Sequence, residues 1–221
     1  MTNQPLPTLA AVLWDLDGTL VDTEPLWLAA ERELAARSGK SWTEEDGLKL
    51  IGSDLLDAGR FLRDHLELDM TAEQIVDYMV ETVAERLHAE PITWRPGARE
   101  LIEALDAEGT PQALVTMSYR TIAEPIAAQL PFAAVVTGDS VTHGKPHAEP
   151  YLTAAAKLGV DAADCVAIED SGTGATSANA AGCQVLIVPN MVNVPQAPRR
   201  TERPTLVGVT PDDLRALLNQ R

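Results

Sequence analysis

The feature that most constrains this chain is a rhythm: short apolar runs alternate with helical patterns, and several of the runs stop at residues that carry chemistry. Residues 9–14 (Leu-Ala-Ala-Val-Leu-Trp) form the first run, which ends at Asp15. Similar runs occupy 112–116, 133–136, 164–168 and 184–188, with a weaker one at 205–209. Short apolar runs without alternation fit strands buried on both faces. Helical patterns fill 97–108, 120–129, 147–158 and 172–181, and Gly109, Gly159 and Gly182 stand where helix C-terminal signals belong. Such alternation builds a mostly parallel sheet with helices on both faces.

Residues 24–90 break the rhythm. They hold helical patterns at 24–37, 43–50, 54–66 and 71–89 and no convincing strand, and Pro91 and Pro96 bracket the return to the α/β pattern. The fold class expected is therefore α/β: a Rossmann-like parallel-sheet core with helices on both faces and an inserted α-helical cap domain. Residues 1–22 and 92–221 are read as the core, and 23–91 as the cap. Residues 189–204 carry four prolines and the pair Arg199-Arg200, which reads as a surface loop before a last strand at 205–209 and a helix.

Composition narrows the function. Aromatic residues are only 4% of the chain, so Ala, Val and Leu must fill the core. The formal net charge of −16 repels phosphate backbones and anionic lipid, so nucleic acid and membrane surfaces are poor partners. An anionic substrate would need a bound cation or a local basic pocket. No apolar run approaches the length of a membrane span, and the first residues lack a basic segment followed by an apolar one. Cys165 and Cys183 are too few for a disulfide scaffold and read as core thiols. A cytoplasmic monomer or weak dimer is expected.

Ligands of open α/β sheets bind beyond the carboxyl ends of the strands. Here those ends carry Asp15-Leu16-Asp17-Gly18-Thr19, then Thr116-Met117-Ser118, then Glu169-Asp170-Ser171-Gly172, with Lys145 in a Gly-Lys-Pro loop before a helix. Asp15 and Asp17 are two apart, so an extended backbone points both side chains the same way. Like charges near 4 Å repel by about 4 kcal/mol at an effective dielectric of 20, so a carboxylate is protonated or a cation is bound. Oxygen ligands favour Mg²⁺, which also binds phosphate. An EF-hand is excluded, because Leu20 and Leu26 stand where its glycine and final Glu belong. Gly172-x-Gly174-x-x-Ser177 opens a helix but lacks the third glycine and a later acid, so it reads as a helix start capped by Ser171 or Thr173 rather than a dinucleotide site.

Asp15-Leu16-Asp17-Gly18-Thr19-Leu20-Val21-Asp22-Thr23-Glu24-Pro25 resembles the first signature of the haloacid dehalogenase superfamily in its phosphatase form. Thr116, Lys145 and Glu169-Asp170-Ser171 resemble the second, third and fourth signatures in order, and the insertion resembles the small cap of the β-phosphoglucomutase-like phosphatases. The resemblance implies Mg²⁺-dependent hydrolysis of a small phosphomonoester, a sugar phosphate or a phosphoglycolate-like metabolite, through an aspartyl-phosphate. It makes Asp15 the nucleophile and Asp17 the acid and base. Thr116 would bind a phosphoryl oxygen, and Lys145 would neutralise transition-state charge. Asp15, the backbone carbonyl of Asp17 and Asp170 would hold Mg²⁺, with Glu169 assisting directly or through water. Gly18, Thr19, Met117, Ser118 and the cap-loop Gly52 are the substrate-binding candidates.

Two departures bear on the reaction. The third signature ends in His147-Ala148-Glu149 where the family usually has x-Pro-Asp. Counted from Asp15, Trp27 occupies the position at which the sugar-phosphate mutases carry a gating histidine, which favours water as the acceptor. The rival readings are a phosphomutase using the same aspartyl-phosphate, and a non-enzymatic regulator that retains the phosphate and Mg²⁺ site. Trp27 and Trp42 either pack the cap or line the pocket. Asp139 is a turn residue or orients Lys145. His143 and His147 have a metal-like spacing, but Gly144 and Pro146 preclude a regular helix between them.

Overall fold

The structure, a computed structural model, describes residues 8–220. Six strands form one sheet in the order β3-β2-β1-β4-β5-β6: β1 (Ala11–Trp14), β2 (Gln112–Val115), β3 (Ala134–Val136), β4 (Cys165–Glu169), β5 (Gln184–Ile187) and β6 (Arg200–Glu202). Every neighbouring pair is parallel. The alternation of β1 divides the core: Val12 and Trp14 belong to one apolar layer, and Ala11 and Leu13 to the other. Helix α5 (Ala98–Ala107) and helix α9 (Pro211–Leu217) cover the first face with Leu101, Leu105 and Leu214. On the second face, α7 (Glu149–Leu158) and α8 (Gly172–Ala181) pack Ala154, Ala175 and Ala178 against the sheet. Small residues let those helices lie close, which is how a core so poor in aromatics is filled. Trp14 is fully buried and its indole nitrogen donates to Gln112 Oε1 at 3.0 Å.

The expected strand at 205–209 is not a strand. The sixth strand is Arg200–Glu202, inside the stretch read as a loop. Its residues are polar and half-buried or exposed, because an edge strand needs only backbone partners on β5 and no apolar face. Pro204 follows, and at 205–209 the chain turns instead: Leu206 is buried, Val207 is 63% exposed, and Gly208 has φ of +78°. A Cβ at Gly97 would fall on the Leu206 backbone, so Gly97 permits that close approach.

Between β1 and α5 lie four helices, α1 (Glu24–Arg37), α2 (Glu44–Leu48), α3 (Leu55–Leu66) and α4 (Ala72–Ala89). Their starts are fixed locally. Thr43 and Asp46 cap α2 reciprocally, Thr71 and Gln74 do so at α4, and Asp54 accepts from the first turn of α3. Leu34, Leu62, Ile75 and Val83 bury the apolar stripes against one another. Ile122 of α6 (Arg120–Ala127) joins that cluster, so the inserted helices rest on the core through α6. Among the described residues no helix is long and apolar enough to cross a membrane.

Candidate active site

The carboxyl ends of β1, β2 and β4 converge. Asp15 follows β1 directly, and its N–H donates to Ile168 O of β4 at 3.1 Å. The chain then turns back through Gly18, at φ +79°, whose N–H donates to Val21 O at 2.8 Å. A side chain at Gly18 would collide with the Asp170 carboxylate, so the glycine clears the space that Asp170 fills.

Lys145 is 4% exposed and its ammonium is shared, donating to Asp15 Oδ1 and to Glu169 Oε1 at 2.6 Å each. Burial works against that charge, but Asp15 and Glu169 more than offset it and hold the lysine above its usual range. Glu169 is fully buried and takes three donors: Lys145 and the Tyr151 hydroxyl (2.6 Å) on Oε1, and the Ser171 hydroxyl (3.2 Å) on Oε2. Asp17 is held from both sides. Thr23 Oγ1 and Trp27 Nε1 donate to its Oδ1 (2.5 and 3.2 Å), and Thr116 Oγ1 and Ser118 Oγ donate to its Oδ2 (3.1 and 2.7 Å).

Asp15, Glu169 and Asp170 bring carboxylate oxygens within 4.8 Å of one another. Burial, then the Glu169 charge, push Asp15 up to about 7, although Lys145 opposes this. Burial and the Asp15 charge raise Asp170 well above the usual carboxylate range. Asp170 Oδ2 is buried with no hydrogen-bond partner among the described residues. The cluster thus carries more negative charge than Lys145 neutralises, and one of its oxygens is without a donor.

A space of about 800 Å³, partly open to solvent, starts at Asp15, Asp17, Lys145 and Asp170 and runs under the inserted helices. Thr116, Met117, Ser118 and Gly52 line it. Met117 Sδ also accepts the Lys145 backbone N–H at 3.1 Å. Gly52 has φ of +71° and approaches Ser171 so closely that a Cβ would crowd the hydroxyl. Gly18 and Thr19 are buried and outside the lining; Thr19 Oγ1 has no partner among the described residues. Trp27 lines the cavity, while Trp42 packs in the cap and donates to Glu31 Oε2 at 2.7 Å. Asp139 does not orient Lys145: it accepts the Arg120 N–H at 3.1 Å at the start of α6. His143 and His147 are exposed beside Glu149, whose carboxylate accepts from the Thr142 and His143 backbone.

Sequence reasoning missed Tyr151, Glu31 and Asn190. Tyr151 lies on α7, inside an apolar pattern that explains it as core. Asn190 follows β5, and its side-chain nitrogen, buried without a partner among the described residues, lies beside Gly18 and Asp170; the strand-end rule applied to β5 would have found it.

The family model for haloacid dehalogenase-like hydrolases matches residues 9–182. Hexitol phosphatase A of Escherichia coli strain K12 is 36% identical over 189 residues, which are 83% of this chain and 85% of that protein. The bifunctional riboflavin kinase/FMN phosphatase of Arabidopsis thaliana is 31% identical over 86% of this chain, and the match spans 51% of that larger protein. Among solved structures, β-phosphoglucomutase from Clostridium difficile superimposes with a TM-score of 0.83 at 19% identity, covering 96% of this chain and 98% of that one, a likeness of fold. The chain belongs to the haloacid dehalogenase-like hydrolase family. Within that family it is a phosphatase.

Proposed function

We propose that this phosphatase hydrolyses a small phosphomonoester in a Mg²⁺-dependent reaction through an aspartyl-phosphate on Asp15. The observation that carries the reading is the pair at the end of β1. Asp15 is held by Lys145, Asp17 is held by hydroxyl and indole donors, and both face one cavity. A nucleophile and a proton carrier on one strand end are what a two-step phosphoryl transfer needs.

The residues fit Mg²⁺. The donors are all oxygens, and Asp170 Oδ2 is buried without a partner among the described residues. Asp15, Asp170 and the backbone carbonyl of Asp17 would hold the ion, with Glu169 at one remove. When bound, it supplies positive charge that keeps the carboxylates ionised and neutralises phosphoryl oxygens. The remaining steps belong to the chain. An Asp15 oxygen attacks phosphorus while the bond to the leaving oxygen breaks, and Asp17 gives that oxygen a proton. Water then attacks the aspartyl-phosphate, Asp17 takes its proton, and phosphate leaves. Lys145 stays beside Asp15 throughout and offsets the developing charge. The Thr116 and Ser118 hydroxyls now bound to Asp17 Oδ2 would pass to phosphoryl oxygens on substrate entry, which leaves Asp17 free to turn toward the leaving group.

Water is the acceptor in this reading. Trp27 stands beside Asp17 as a donor only, since an indole N–H cannot accept a proton from a sugar hydroxyl. The inserted helices act as a cap that excludes bulk water before attack. The test is phosphate release from a panel of phosphorylated metabolites with Mg²⁺ or EDTA, for the wild type and Asp15→Asn. Release should need both Mg²⁺ and Asp15. Conversion of an ester to an isomer with no released phosphate would favour a mutase instead.

A further inference from the structure

Asp170 and Asn190 bring two complementary polar atoms to one place. Asp170 directly follows β4, and Asn190 stands shortly after β5. The two strands stay paired up to that point, where the Val188 N–H donates to Glu169 O at 2.8 Å. Asp170 Oδ2 and Asn190 Nδ2 are both buried, and neither has a hydrogen-bond partner among the described residues. A Cβ on Gly18 would lie 2.2 Å from the oxygen and 3.2 Å from the nitrogen. An acceptor and a donor therefore share the space that Gly18 leaves clear.

The backbone does not explain an asparagine there. Asparagine often serves a left-handed turn, but the described non-glycine residues with positive φ are Glu67 and Arg199. Other groups set the path of this loop. Pro189 fixes its own φ, and its carbonyl accepts from Arg95 Nη2 at 3.4 Å, while the Arg95 N–H donates to Leu20 O at 2.9 Å. Arg95 thus ties the loop that carries Asn190 to the loop that carries Gly18. Lys145 is committed to Asp15 and Glu169, at 2.6 Å each. A buried N–H without an acceptor and a buried carboxylate oxygen without a donor are both costly, and one bond between them, direct or through one water, removes both costs. Each carboxylate oxygen has two lone pairs, so a bond from the amide still leaves one for a cation.

We propose that Asn190 is a positioning residue for Asp170: its amide N–H donates to Oδ2, directly or through one water, and holds the carboxylate in the orientation that receives a divalent cation. The inference rests on the Mg²⁺ reading of the site and adds to it a residue from the loop after β5. Asn190 touches neither substrate nor reacting atoms and acts through Asp170. A neutral donor suits this place. A lysine or arginine would compete with the cation for Asp170, and a carboxylate would add to the repulsion within the cluster. Groups that orient a metal-binding side chain govern affinity although they do not touch the ion.

The test is calorimetric titration of Mg²⁺ into the full chain without substrate, for the wild type, Asn190→Leu, Asn190→Ser and Leu206→Ala. Asn190→Leu keeps the side chain's size and removes the donor, so it should bind Mg²⁺ about 10–100-fold more weakly. Asn190→Ser keeps a donor and leaves room for one water, so it should bind at least about threefold more tightly than Asn190→Leu. Leu206→Ala loosens the core without removing a polar group and should stay within about twofold of the wild type. Wild-type affinity in Asn190→Leu would overturn the inference alone. Equal losses in Asn190→Leu and Asn190→Ser would do the same, because the donor would then not matter, and so would an equal loss in Leu206→Ala. Absence of Mg²⁺ binding by the wild type would instead overturn the Mg²⁺ reading, and this inference with it.

Discussion

Lys145 shows what a single residue does here. Its ammonium is shared by Asp15 and Glu169, and Tyr151 supplies a further donor to Glu169. Tyr151→Phe removes that hydroxyl and leaves a buried carboxylate with one donor fewer. The expected cost is about 1.5–3 kcal/mol, measured by urea unfolding, because the lost bond is to a charged group. A change within about 0.5 kcal/mol, as at ordinary surface positions, would show that Tyr151 only fills space. Glu31 gives a second residue-scale outcome. Burial raises its carboxyl to about 7 from the ordinary 4.5, so the folded chain holds that proton more tightly than the unfolded one. The resulting stabilisation is complete below the ordinary value and is lost as pH rises through the folded one. Glu31→Gln cannot ionise, so its Tm relative to wild type should climb between about pH 5 and about pH 8. A flat difference across that window would mean that Glu31 is better solvated or better paired than its 5% exposure indicates.

At the scale of elements, what the sequence made legible followed from burial. The strands β1 to β5 are apolar runs because both faces of the sheet are covered. The helices of the cap carry capping residues and apolar stripes that mark their ends. The strand-end residues Asp15, Thr116 and Asp170, with Lys145 in its loop, could be placed together before any geometry was known, because a parallel sheet lines up its carboxyl ends. The edge strand β6 was not legible: Arg200-Thr201-Glu202 has no apolar face and is defined only by its pairing with β5. The apolar residues at 205–209 misled for the converse reason, since Leu206 is buried from a turn rather than a strand. Glu31 was hidden because a carboxylate on a helix reads as solvated until the packing around it is known. The turn makes its own prediction: Leu206→Ala should cost about 2–5 kcal/mol in chemical denaturation, and Val207→Ala less than about 0.5. Similar costs at both positions would contradict the turn.

At the scale of the whole molecule, a net charge of −16 and an anionic substrate are reconciled locally. Lys145 supplies an ammonium at one strand edge, and the carboxylate oxygens of Asp15 and Asp170 beside it would hold a cation that adds to that positive charge. The cap side of the lining adds Glu24 and Glu31 and, among the described residues, no cation. All of this turns on Asp15 as the atom donor to phosphorus. The most direct measurement is acid-quenched turnover with Mg²⁺ and a hydrolysed ester, followed by mass-spectrometric mapping of the phosphorylated peptide. The account predicts a phosphoryl group on the peptide carrying Asp15, at Asp15 itself, and none in Asp15→Asn. Phosphate release by Asp15→Asn at an undiminished rate, or a phosphoryl group on another residue, would contradict it.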